Sequence, residues 1–155
     1  MRRVAGVILV VAAICWSGAC SDQTVVRSAE EFDRTKERCD GLAPQVRVLG
    51  CFVDAAKTSR LEVDRTLNRA LQAAAALENP YNAFARSRSL PNADLVRDLK
   101  AAQTAWLSYS MSQCALEGGV AFGGSGTDIL EAQCRYRLNV IRLSELRAAI
   151  RLLED

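Results

Sequence analysis

The chain has 155 residues, half of them apolar, with 20 basic and 18 acidic side chains. That is material for one compact domain rather than two. With charge so nearly balanced and no Lys/Arg cluster beyond Arg86-Ser87-Arg88, nothing is available to neutralise a phosphate backbone, and nucleic acid binding is not expected.

Residues 1–19 read as an export signal. Arg2 and Arg3 precede the apolar run Val4 to Trp16, which closes on the small residues Ser17, Gly18 and Ala19. The run is shorter than the roughly 20 residues that span a bilayer, which favours a cleaved peptide. Its loss removes two arginines and no acid, leaving 18 basic against 18 acidic groups. Ser17-Gly18-Ala19-Cys20 resembles a lipobox, the bacterial signal whose cysteine carries the lipid. Ser17 stands where an aliphatic residue is usual. Lipidation of Cys20 is the favoured reading, and cleavage after a Ser-x-Ala site, leaving a free thiol, is the alternative. Residues 20–27 are polar and without apolar periodicity, as in a tether, so the domain is expected over 28–155.

Ser28-Ala29-Glu30-Glu31 forms a capping box, which predicts a short helix running toward Cys39. Pro44 suits the first position of a second, long helix. Along it Val46, Leu49, Val53, Ala56, Val63, Leu67, Ala70, Ala74 and Leu77 make one apolar stripe. A second capping box, Ser59 with Glu62, allows a break near Thr58-Ser59. Two prolines between Glu78 and Asn92 predict a loop. A third helix follows from about Ala93 to Glu117, with Leu95, Leu99, Ala102, Trp106, Tyr109 and Gln113 on one side, ended by Gly118-Gly119. After the glycine-rich connection Val120 to Gly126, a fourth helix starts at Thr127 or Asp128, either able to cap it. It buries Leu130, Cys134, Leu138, Ile141, Leu146, Ala149 and Leu153. No segment alternates for long enough to build a sheet, so the fold class is all-α, a small bundle of about four helices with a long helical hairpin.

From Cys39 to Arg147 the chain resembles the lysozyme inhibitor LprI-like family of exported bacterial domains. The resemblance is carried by an ordered set: Cys39-x11-Cys51; Asp64-Arg65-Thr66-Leu67-Asn68; Leu99 through Gln103 and Trp106 to Tyr109; Cys114; Gly124-Ser125; Cys134; and Leu138 to Arg142. Departures fall at polar positions. Ser110-Met111 stand where the family often has Arg-Asp, Asn139 replaces a threonine, and Leu71 replaces a tyrosine. The motif residues Asp64, Leu67, Asn68, Gln103, Trp106, Tyr109 and Arg142 read as structural. Trp106 is expected as a large core anchor. Asn68 is expected to hydrogen-bond nearby backbone, and Arg142 to meet Asp64 or the carbonyls of a helix end.

Cys39, Cys51, Cys114 and Cys134 form an even set in an exported chain, which implies disulfides. Four cysteines permit three pairings, and the sequence does not choose among them. The expectation is Cys39–Cys51, tying the first helix to the second, with Cys114–Cys134 closing the glycine-rich connection. A zinc site is the rival, disfavoured by the absence of histidine and of any C-x2-C pair.

Without histidine the commonest general base and the usual triads are missing. Glu30-Glu31, Asp94/Asp98 and Glu154-Asp155 are placed as solvated charges, and Gly119 to Ser125 lacks the lysine of a phosphate loop. No enzyme activity and no cofactor or metal is expected. The resemblance implies a protein partner, a lysozyme or other peptidoglycan hydrolase, held in the periplasm or at a membrane through the Cys20 lipid. Phe122, Gly123, Gly124 and Ser125 are the candidate contact tip, with a flexible connector as the alternative. The competing function is an accessory lipoprotein scaffolding an envelope complex; an exposed apolar stripe on a helix would favour it.

Overall fold

The computed structural model describes residues 22–124 and 126–155, with side chains from Ser28 onward. The expected export signal, Cys20 and Ser125 lie outside the described residues. Four helices follow in chain order: α1 (Asp22–Asp40), α2 (Gln45–Arg88), α3 (Leu95–Gly119) and α4 (Thr127–Glu154). Among the described residues there is no strand, and no helix is long and apolar enough to cross a membrane. The all-α bundle inferred from periodicity is the fold.

Helix α4 is the axis of the bundle. It packs most extensively on α2 and also against α1 and α3. Its neighbours enclose it on several sides, so it buries residues around much of its circumference, from Ala132 and Tyr136 to Leu146 and Ile150. Helix α2 meets it along Phe52, Ala56, Ser59, Val63, Thr66, Ala70 and Ala74. These positions follow one another at steps of three or four, the spacing of a helix-pair seam. Val63 and Ala70 pack with Leu143, Leu146 and Ile150, and Ala56 packs with Tyr136 and Val140.

The seam only partly overlaps the apolar stripe read from the sequence. Val46, Val53 and Leu77 are exposed, while Phe52 is fully buried. Small side chains on α2 let the large ones of α4 approach, and Ser59 and Thr66 serve in that role despite their polarity. The same shift of phase occurs on α3, where Gln103, Ser110 and Cys114 face inward while Ala102 and Tyr109 face out. On α4, Ile141 is exposed and Asn139 is buried.

Four boundaries differ from expectation. Helix α1 begins at Asp22, ahead of Ser28, so the first capping box lies within a helix and the segment expected as tether is helical from Asp22. Helix α2 does not break at Ser59: the Ser59 hydroxyl turns back to donate to the Ala56 carbonyl at 3.0 Å instead of opening a new helix. It also runs through Pro80 to Arg88, where a loop was expected. Tertiary contacts outweigh the lost backbone bond there. Ala85 is fully buried. Asn82 grips Ala93 twice, donating to its carbonyl at 3.0 Å and accepting from its N–H at 2.8 Å. Glu78 accepts the N–H of Val96 at 2.9 Å, capping α3 from a different helix, because Asp94 makes no side-chain cap. Neither Thr127 nor Asp128 caps α4, whose N-cap is Gly126 without a side-chain bond.

Both expected disulfides are formed. Cys39–Cys51 joins the end of α1 to α2 with Cα atoms 5.6 Å apart. Cys114–Cys134 joins α3 to α4 at 5.4 Å. The four sulfurs are thereby oxidised, and the rival zinc reading is set aside.

Candidate functional site

The connection between α3 and α4 projects from a braced base. The Cys114–Cys134 bridge is buried with Leu138, and Trp106 packs against this cluster. One turn further along α3, Glu117 accepts hydrogen bonds from Gln113 Nε2 at 2.8 Å and Arg137 Nη2 at 2.5 Å. Partial burial opposes ionisation of Glu117, but these two hydrogen bonds and the Arg137 charge outweigh it and hold the carboxyl below its ordinary value. Gly118 is buried, and a Cβ there would meet the Glu131 side chain at 2.5 Å, so any larger residue would force Glu131 to move where α3 and α4 converge.

Beyond that base the backbone turns on itself. Ala121 N–H donates to the Gly118 carbonyl at 3.1 Å, Phe122 to Gly119 at 3.0 Å and Gly124 to Ala121 at 2.9 Å. Phe122 adopts φ 50° and Gly123 φ 76°. A left-handed phenylalanine is strained, and such strain persists where surrounding structure holds it. Its side chain is turned outward: Phe122 is 95% exposed. The structure thus brings Phe122, Gly123 and Gly124 together on one hydrogen-bonded tip; their expected companion Ser125 is among the residues not described.

The motif residues fall into a second location. Arg142, buried on α4, donates from Nε to Gln103 Oε1 at 2.9 Å and pairs with Glu145 at 2.8 Å. Its guanidinium also lies 5.9 Å from the centre of the Trp106 ring. Asp64, expected as its partner, pairs instead with Arg60 at 3.1 Å, because i,i+4 spacing on α2 places those two side by side. Arg60 in turn lies 5.8 Å from Trp106. Trp106 is therefore not a wholly enclosed anchor but a half-buried ring attended by two cations. Leu67 packs on the core as expected. Asn68 stands exposed on α2, and Tyr109 is exposed on α3. Asn139 instead links α4 to α2, donating from Nδ2 to the Ala56 carbonyl at 2.9 Å and to Ser59 Oγ at 3.0 Å.

Beside Trp106 a groove of about 460 Å³ opens between α2, α3 and α4. Trp106, Leu107, Met111 and Val53 supply its apolar lining, with Ser110 and Asn139 among its polar groups. Among the described residues, the charged ones that line it are Lys57, Arg60 and Arg135. Ser110 and Met111, the two residues that depart from the Arg-Asp pattern of the resemblance, both face it. Sequence reading missed this groove, since Lys57 and Arg135 sit on different helices and no spacing relates them.

No curated protein and no solved structure matches the chain significantly. Residues 45–146, from the start of α2 through most of α4, match the family model described as Lysozyme inhibitor LprI. A match over this much of the chain, taking in α2, α3, most of α4 and the Cys114–Cys134 bridge, makes the protein a member of the LprI lysozyme inhibitor family.

Proposed function

We propose that this protein is an exported, non-enzymatic inhibitor that blocks a lysozyme or related peptidoglycan hydrolase by presenting the Phe122 tip to the enzyme's cleft. Family membership supports the inhibitor class, and the geometry of the tip supports the contact surface. Phe122, 95% exposed on a hydrogen-bonded tip, is free to enter a pocket on a protein partner as a buried aromatic anchor. The disulfide, the Glu117–Arg137 pair and the Gly118 contact brace its base, so little order has to be acquired on docking. On this reading the partner is protein, the compartment is the periplasm, and lipidation of Cys20 would hold the inhibitor at a membrane.

The test is inhibition of peptidoglycan hydrolysis by the oxidised protein against goose-, chicken- and invertebrate-type lysozymes. Phe122→Ala should weaken inhibition by about 30-fold or more, the factor associated with a hot-spot aromatic, while leaving unfolding unchanged. Full activity of Phe122→Ala would remove the tip from the interface. Inactivity of the native protein against every hydrolase would remove the inhibitor reading.

A specific observation favours a second reading. Tyr109, Leu116 and Val120 are all exposed on α3 and its C-cap and, at spacings of seven and four, share one face. An apolar stripe of this kind suits an accessory lipoprotein that binds an envelope complex through a helix. Substituting Leu116 by Glu separates the readings, since it should spare tip-mediated inhibition and abolish scaffolding.

A further inference from the structure

We propose that the groove between α2, α3 and α4 is a binding site for a small amphiphilic carboxylate, with an aliphatic body along Leu107, Met111 and Val53 and its anionic head at Lys57 and Arg60. This inference is independent of the inhibitor reading. The volume of about 460 Å³ lies within the range of small-molecule sites. Its lining combines apolar side chains with three cationic ones and no acid. A wholly apolar ligand would leave those cations without use, and a cationic one would be repelled.

The charges are not already spent. Lys57 is exposed and makes no ion pair or hydrogen bond among the described residues. Arg60 and Arg135 pair with Asp64 and Glu131 through partly exposed i,i+4 contacts of modest worth, so a ligand carboxylate can compete for them. Beneath the Trp106 end two buried donors, Gln103 Nε2 and Arg142 Nη2, have no acceptor. At that end the guanidinium groups of Arg60 and Arg142 both approach the Trp106 ring. At the other end Met111, a flexible thioether 70% exposed, supplies an adaptable apolar wall.

The experiment is calorimetric titration of the full oxidised chain with decanoate below its micelle concentration, with decanol and decyltrimethylammonium as neutral and cationic matches. The indole N–H resonance of Trp106 is followed in parallel. Saturable binding of one decanoate that shifts this resonance is expected, with decanol about tenfold weaker, the factor set by a charge-assisted hydrogen bond. Lys57→Gln and Met111→Asp should each weaken decanoate by a similar factor; both positions are exposed, so folding is not at stake. Equal affinity for decanol, an unmoved Trp106 resonance, or unchanged affinity in both variants would overturn the proposal. So would self-association of the native chain abolished by Met111→Asp, which would give the groove to a second copy.

Discussion

Removing the Cys114–Cys134 bridge tests whether the base of the tip is held by covalent restraint or by packing. The two cysteines are 20 residues apart. In the chain-entropy description, opening that loop stabilises the unfolded ensemble by about 3.3 kcal/mol at 25 °C. Both side chains are almost completely buried. Replacement by alanine therefore also leaves a small void, adding about 1 kcal/mol. The Cys39–Cys51 bridge spans 12 residues, for which the same description gives about 2.8 kcal/mol, and Cys51 is only partly buried. The paired Cys114→Ala/Cys134→Ala variant should thus lose about 4 kcal/mol and the Cys39→Ala/Cys51→Ala variant about 3 kcal/mol. In equilibrium urea unfolding followed by circular dichroism, the first should lower the midpoint by about 2 M. It should also weaken hydrolase inhibition, because the tip loses its base. A loss below about 1 kcal/mol for the Cys114/Cys134 pair would refute the reasoning, showing that α3 and α4 are held there by packing alone.

The other expectations concern single residues. Asn139→Ala removes the two hydrogen bonds to Ala56 and Ser59 and should destabilise by about 2 kcal/mol; a double-mutant cycle with Ser59→Ala should show coupling, and additivity would mean that the Asn139–Ser59 bond contributes nothing. Glu78→Ala takes away the long-range cap of α3 and should cost about 1 kcal/mol, with faster amide exchange at Val96 as the local readout. The Glu117 carboxyl is held below its ordinary value in the folded state, so its contribution is present above the ordinary carboxylate range and is lost as pH falls through its folded value. Glu117→Gln should accordingly flatten the acid limb of the stability profile, and an unchanged limb would dissociate this residue from the folding equilibrium.

Much of the architecture was legible in the residues alone. Glycine pairs, the Pro44 start and three- and four-residue apolar spacings determine that there are four helices and where most of them end. These signals are local, and local backbone preference does not depend on the neighbours. The cysteine count implied two disulfides, and the ordered motifs pointed to the family later matched over residues 45–146.

Tertiary structure decided the rest. Periodicity finds an apolar face but not its phase when a helix is apolar or small on several sides, and only the approach of α4 selected Phe52, Ser59 and Thr66 over Val46 and Val53. Pro80 carries a helix-breaking cost of about 3 kcal/mol that local reasoning applies in full, yet Asn82, Glu78 and buried Ala85 act across the bundle to keep α2 intact. The partners of Arg142 were misassigned because Gln103, 39 positions away, is brought to it by packing rather than spacing. The groove at Trp106 was invisible for the same reason: Lys57, Arg60, Met111 and Arg135 are ordinary surface residues of three helices until the bundle sets them around one space.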